Sequence, residues 1–224
     1  MRFYKNELLI GKANVERLKN KKVLIIGCGG VGGFAAEAIA RSGIFNITIV
    51  DNDIIDITNL NRQIISLSSN IGKNKVDVLY DRIKDINPSC SVIKIKEFIN
   101  NENLKDIVEK DFDYVIDAID SMTSKIDLIE YCYNNNIKII SSMGMGNRLS
   151  PENIIIDDIY KTKYCPMAKI IRKELRKRDI KHLTVCYSQN EVNKRYKEPS
   201  SMIFAPGVCG INMAYKVIND LIET

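Results

Sequence analysis

The chain has 224 residues, 45% of them hydrophobic and 27% charged, which suits one globular domain over residues 1–224 with one substantial core. Thirty-three Lys and Arg against 28 Asp and Glu leave a formal charge of +5, a mild bias that favours an anionic partner without identifying it. The opening MRFYKNELLIGK lacks the apolar stretch of a signal peptide, no run nears the ~20 apolar residues that cross a bilayer, and the six cysteines contain no C-x-x-C pair. A membrane anchor, a disulfide framework and a four-thiolate zinc site are therefore not expected, and a cytoplasmic protein is.

In chain order, Asn6 to Lys19 reads as an outer helix, within an N-terminal part set at residues 1–20. Residues 21–145 alternate short β-branched runs with amphipathic stretches of helical length. The strands are Lys22 to Ile26, Asn46 to Val50, Ser91 to Ile95, Tyr114 to Asp117 and Ile137 to Ile140; the helices are Val31 to Arg41, Lys73 to Ile86 and Thr123 to Asn135. Nearly continuous apolar strands separated by helices predict an α/β fold, a doubly wound, mostly parallel Rossmann-like sheet. In residues 146–224 the pattern loosens. It predicts a strand at Ile154 to Ile156, a helix from Pro166 to Arg178, a strand at Thr184 to Tyr187 and a last helix from Pro206 to Ile222, extending the same sheet with room for antiparallel members.

The first strand runs into Gly27-Cys28-Gly29-Gly30-Val31-Gly32-Gly33 and then a helix, the context in which G-x-G-x-x-G binds phosphate. Gly27, Gly29, Gly30 and Gly32 let backbone approach an anion, and the helix start offers it unpaired N–H groups. Asp51, 19 residues after Gly32, ends the next strand, where a carboxylate accepts hydrogen bonds from ribose hydroxyls. The loop alone serves NAD as well as ATP.

A polar run favours ATP. Asp53, Asn59, Asn61, Arg62 and Gln63 follow Asp51, and Lys75 opens a helix. An enzyme that splits ATP between its α- and β-phosphates needs fixed cations on the departing pyrophosphate and a carboxylate for Mg²⁺. Arg62 and Lys75 suit the first need and Asp120, just past a strand, the second. Singly, each has a plainer explanation: a surface ion pair for Arg62, a solvated first-turn lysine for Lys75, a helix cap for Asp120.

The segment GCGGVGGFAAEAIARSGIFNITIVDNDIIDITNLNRQ resembles the signature of the adenylating superfamily that includes ubiquitin-activating enzymes and the sulfur-carrier adenylyltransferases. That resemblance implies Asp51 on the ribose, Asn59, Arg62 and Gln63 around the phosphates, Lys75 on phosphate, and Asp120 on Mg²⁺. Ile140 to Pro151, Asp158 to Thr162, Cys165 to Lys169 and Val185 to Ser188 make nearly the whole chain similar to the tRNA threonylcarbamoyladenosine dehydratases. The likeness implies ATP-dependent adenylation and cyclisation of N6-threonylcarbamoyladenosine at position 37 of tRNA. It further implies a homodimer, leaves room for a monovalent cation and a sulfur-transfer partner, and needs no zinc. A sulfur-carrier adenylyltransferase, activating a partner's Gly-Gly tail, is the alternative, and a nucleotide-binding regulatory module without chemistry is a third reading. Two positions depart from the family. Lys5, with Arg2 nearby, stands where relatives use an arginine, and Gln189-Asn190-Glu191 replaces an acidic pair.

Lys169 to Lys181 holds seven basic residues against two acidic ones. Its Arg172, Lys173, Arg176, Lys177 and Arg178 are candidates for RNA phosphates, although a solvated helix face has the same composition. Cys165, before Pro166, reads more readily as a capping or packing cysteine than as a nucleophile, and His182 as a surface or RNA-facing residue.

Overall fold

A computed structural model describes residues 2–108, 111–191 and 200–223. Seven strands form one sheet, β1 (Lys22–Ile26), β2 (Asn46–Val50), β3 (Ser91–Ile95), β4 (Tyr114–Asp117), β5 (Ile139–Ser142), β6 (Ile154–Asp158) and β7 (Thr184–Ser188). Their order is β3-β2-β1-β4-β5-β7-β6. Every pairing is parallel except β6 with β7, so the doubly wound sheet carries one antiparallel edge strand. Alternation along β1 shows why both faces need cover: Val23 and Ile25 enter one apolar cluster, Leu24 and Ile26 the other. Edge strand β3 is largely exposed, and its Lys94 is held with Lys96 by Asp77.

The helices are α1 (Tyr4–Ile10), α2 (Lys12–Lys19), α3 (Gly32–Ser42), α4 (Lys75–Ile86), α5 (Leu104–Ile107), α6 (Met122–Asn134), α7 (Pro166–Lys177) and α8 (Phe204–Glu223). The expected single N-terminal helix is two, because Gly11 between α1 and α2 takes φ +83°. Helix α8 packs against α3, and a Cβ on Gly210 would stand 2.3 Å from the Val31 carbonyl oxygen. That close crossing fixes the start of α3. The strand order reverses between β1 and β4, the chain running outward from β1 to β3 and then crossing to β4 on the other side, and a doubly wound sheet opens a crevice at such a switch point. No described helix is long and apolar enough to cross a membrane.

Candidate active site

A cleft of about 960 Å³ opens at this switch point, lined by residues from Ile26 to Pro206. Its floor is the glycine turn. Gly27 has φ +90°, and a Cβ there would lie 2.6 Å from the Ala118 carbonyl oxygen on the neighbouring strand's turn. Gly32 stands behind the floor rather than in it: a Cβ would meet the Gly27 carbonyl oxygen at 1.7 Å, so this glycine serves close strand-to-helix packing. Gly29 and Gly30 line the opening, where an added Cβ meets nothing nearer than the Gln63 amide at 3.8 Å and Pro206 at 3.3 Å. Helix α3 begins beside them with no side chain capping it; its Gly33 N–H is bonded to the Gly29 carbonyl at 2.9 Å, and the positive end of the helix faces the cradle.

Around this cradle stand Asp51, Asp53, Arg62, Gln63, Lys75 and Asp120. Asp51 holds the loop open, accepting from the Cys28 N–H at 2.7 Å and from the Asp53 N–H at 2.8 Å. Burial lifts its carboxyl above the usual range, against those N–H groups and the Lys75 charge, which pull it down. Lys75 is 6% exposed and its Nζ is 2.7 Å from Asp53 Oδ2, so it is a held cation rather than a solvated one. Gln63 is buried, its Oε1 has no partner among the described residues, and its Nε2 lies 3.8 Å from where a Cβ on the cleft-lining Gly29 would stand. Arg62 donates to the Thr58 carbonyl and to Asn61 Oδ1 and has no carboxylate partner among the described residues. Asp120 is exposed and does not cap a helix, since Ser121 occupies the N-cap of α6.

Two nucleotide-binding candidates of the polar run lie outside the lining. Asn59 Oδ1 accepts from the Asp56 N–H, closing a capping box, and Asn61 Nδ2 donates to the Ser201 carbonyl at 2.9 Å. Both side chains shape the turn that carries Arg62. Lys5 lies exposed on α1 and Arg2 bonds the Ile86 carbonyl, so neither lines the cleft in the single chain. Cys165 is buried in the apolar cluster beneath α7. His182 is exposed, edge-on to Tyr133 at 5.4 Å.

Sequence reasoning missed two charged groups. Asp117 and Lys125 are both 0% exposed and 2.6 Å apart, and Asp117 Oδ1 also accepts from the Ile119 N–H. This pair braces the turn that presents Ala118, Ile119 and Asp120 to the cleft. The eight-residue spacing hid it, because only folding brings the end of β4 against α6. Arg148, 5% exposed at the other end of the cleft, donates to the carbonyls of Gly144, Asn190 and Tyr164 and to Ser188 Oγ. A buried guanidinium surrounded by neutral acceptors ties three loops together. No run of neighbouring residues announces it.

The basic segment divides. Arg172 turns inward to Thr162, Arg178 pairs with Glu130 and Glu174, Lys177 pairs with Glu174, and Arg176 lies over the Tyr160 ring. Lys173 is exposed with no partner among the described residues.

Backbone amides, two arginines and a held lysine around one crevice, with a carboxylate at its rim, suit a polyanion joined to a ribose. The molecule belongs to the nucleotide-binding α/β proteins with a phosphate-handling cleft. A profile of the ThiF family matches residues 4–218, and the chain belongs to that family. It is 42% identical over 240 residues to the tRNA threonylcarbamoyladenosine dehydratase of Bacillus subtilis strain 168, covering 99% of this chain and 94% of the relative. Crystal structures of the Escherichia coli tRNA N6-threonylcarbamoyladenosine dehydratase, TcdA, in complex with ATP and with AMP superpose with TM-scores of 0.94. They are 31% and 30% identical to this chain, and each comparison covers 99% of this chain and 94% of the other.

Proposed function

We propose that this chain is an ATP-dependent dehydratase acting on N6-threonylcarbamoyladenosine-37 of tRNA. The carrying observation is the near full-length likeness to the B. subtilis dehydratase, which includes the half of the cleft beyond β5. The threonine carboxylate attacks the α-phosphorus of ATP, the bond to the β-phosphate oxygen breaks, and pyrophosphate leaves. A nucleophile within the modification then attacks the activated carbonyl carbon, loses its proton, and expels AMP, so the nucleoside has lost one water. Ring closure is intramolecular and needs no protein nucleophile.

In this reading Gly29, Gly30 and the start of α3 cradle phosphate, and Asp51 meets the ribose. Arg62 and Lys75 stabilise charge on the departing pyrophosphate. Gln63, whose Nε2 lies toward Gly29, would donate that N–H to a phosphate oxygen. In this reading Asp120, exposed on the cleft lining, would carry Mg²⁺ together with phosphate oxygens. When bound there, the ion neutralises phosphate charge. A cytoplasmic homodimer, a monovalent cation and a sulfur-transfer partner belong to the same reading.

The test is mass spectrometry of tRNA nucleosides after incubation with this protein, ATP and Mg²⁺. Loss of one water from the threonylcarbamoyl nucleoside, with AMP released, is expected. An unchanged mass, with AMP transferred instead to a Gly-Gly-ended carrier protein, would overturn it.

A further inference from the structure

Helix α7 begins in the cleft, where Cys165, Pro166 and Met167 line the wall. Its buried side is Ala168, Ile171 and Leu175. At 3.6 residues per turn, Lys169, Ile170, Lys173 and Lys177 fall within about 60° of Pro166 on the opposite face. All four are exposed, Ile170 by 53%. This face therefore runs without a break from the cleft wall outward for about 16 Å.

Charge along it is uneven in a useful way. Arg172, Arg178 and Lys177 have their intramolecular partners, whereas Lys169 and Lys173 have none among the described residues, nor does exposed Lys163 just before the helix. Between Lys163 and the cleft-lining Cys165 sits Tyr164. It is 55% exposed and holds φ +57°, a left-handed backbone that a bulky side chain rarely adopts. Arg148 Nη2 donates to its carbonyl at 3.4 Å from beneath, in the same set of bonds that ties the far wall together. A buried arginine thus bonds the backbone of an exposed tyrosine adjoining the cleft wall, with lysines that have no partner among the described residues before and after it in the chain.

We propose that this strip is the RNA track of the enzyme: Tyr164 stacks on a base flanking the modified nucleoside, and Lys163, Lys169 and Lys173 hold successive phosphates along α7. The inference rests on the tRNA reading above and specifies its surface. Single-stranded RNA is recognised by this combination, an aromatic face for an unstacked base and a line of cations for the backbone. An anticodon loop entering carboxylate-first has to leave its neighbouring nucleotides at the cleft mouth. Ile170 supplies apolar surface between the lysines.

The experiment measures AMP release with a threonylcarbamoylated anticodon stem-loop at several salt concentrations. For K169A/K173A the expected KM rises about tenfold with kcat within about twofold, and the slope of log affinity on log salt falls by about 1.4, two contacts on single-stranded RNA. Y164A raises KM by about tenfold, and Y164F restores it, since stacking needs the ring and not the hydroxyl. ATP binding and melting temperature stay at wild-type values in all three. Wild-type KM and salt slope in both K169A/K173A and Y164A would overturn the track while leaving the function standing. A wild-type enzyme inert towards the stem-loop would overturn the functional reading itself and the track with it.

Discussion

The two ends of the cleft are built on different principles. The end formed by β1, β2 and β4 is fixed by backbone contact: Gly27 and Gly32 allow approaches that no side chain permits, and Asp51 ties the turn through two N–H groups. The end beyond β5 is fixed by one side chain, Arg148, reaching carbonyls from residues 144, 164 and 190. A phosphate cradle tolerates no slack, because electrostatic stabilisation depends on dipoles already in place. A wall that receives a polymer needs its loops set relative to one another, and a single multidentate guanidinium does that.

Breaking the first end should cost most. The variant G32A is expected to lose about 3 kcal/mol or more of stability in urea unfolding, because its Cβ would overlap the Gly27 carbonyl. Wild-type stability in this variant would show that the turn yields, contrary to the comparison. Next, K125M leaves Asp117 charged and unpaired in the core and should cost about 3–5 kcal/mol. The double variant D117L/K125M should recover most of that stability but not the Mg²⁺ dependence of pyrophosphate exchange, since the turn bearing Asp120 loses its brace. Recovery of both would reduce the pair to simple packing.

A third measurement separates chemistry from fold. K75A should lower the rate of pyrophosphate exchange by about 10²–10³, in the range found for a lost transition-state donor, with unfolding little changed. R148M tests the other end. Its expected signature is retained ATP binding with impaired turnover of modified tRNA, and a parallel loss of both would mean the two ends are not independent. The smallest effect serves as a baseline far from the cleft. Lys94 and Lys96 hold the Asp77 carboxyl down at about 2. A depressed carboxylate contributes stability that is present above its unfolded value, about 3.9, and is lost as pH falls towards 2. The advantage of wild type over D77N at pH 5 should therefore fade by pH 2 and shrink in high salt, since the group is only half-buried at the surface and is screened.

The alternating strands and helices were legible because burial on both faces leaves near-continuous apolar runs, and the glycine turn because phosphate cradles and tight helix packing demand glycine at fixed spacing. Bounds shifted by a few residues, as when β5 proved to run Ile139–Ser142 and not Ile137 to Ile140, since nothing local ends a buried strand. Asn59 was expected around the phosphates and Asn61 among the nucleotide-binding residues; in the single chain Asn59 closes its own turn and Asn61 bonds Ser201, partners that composition does not announce. Composition likewise could not sort α7, where Arg172 and Arg178 turn inward and Lys169 and Lys173 do not.

By itself, then, the amino-acid order determined the doubly wound α/β plan, the glycine turn and the polar run that carries Arg62 and Lys75, all of which are local patterns at short spacing. Tertiary structure alone decided that Lys125 meets Asp117 in the core, that Arg148 joins the far wall, and which α7 cations find a partner among the described residues. Those outcomes depend on which distant segments end up as neighbours, and a side chain's partner across the fold leaves no periodic trace in the chain that carries it.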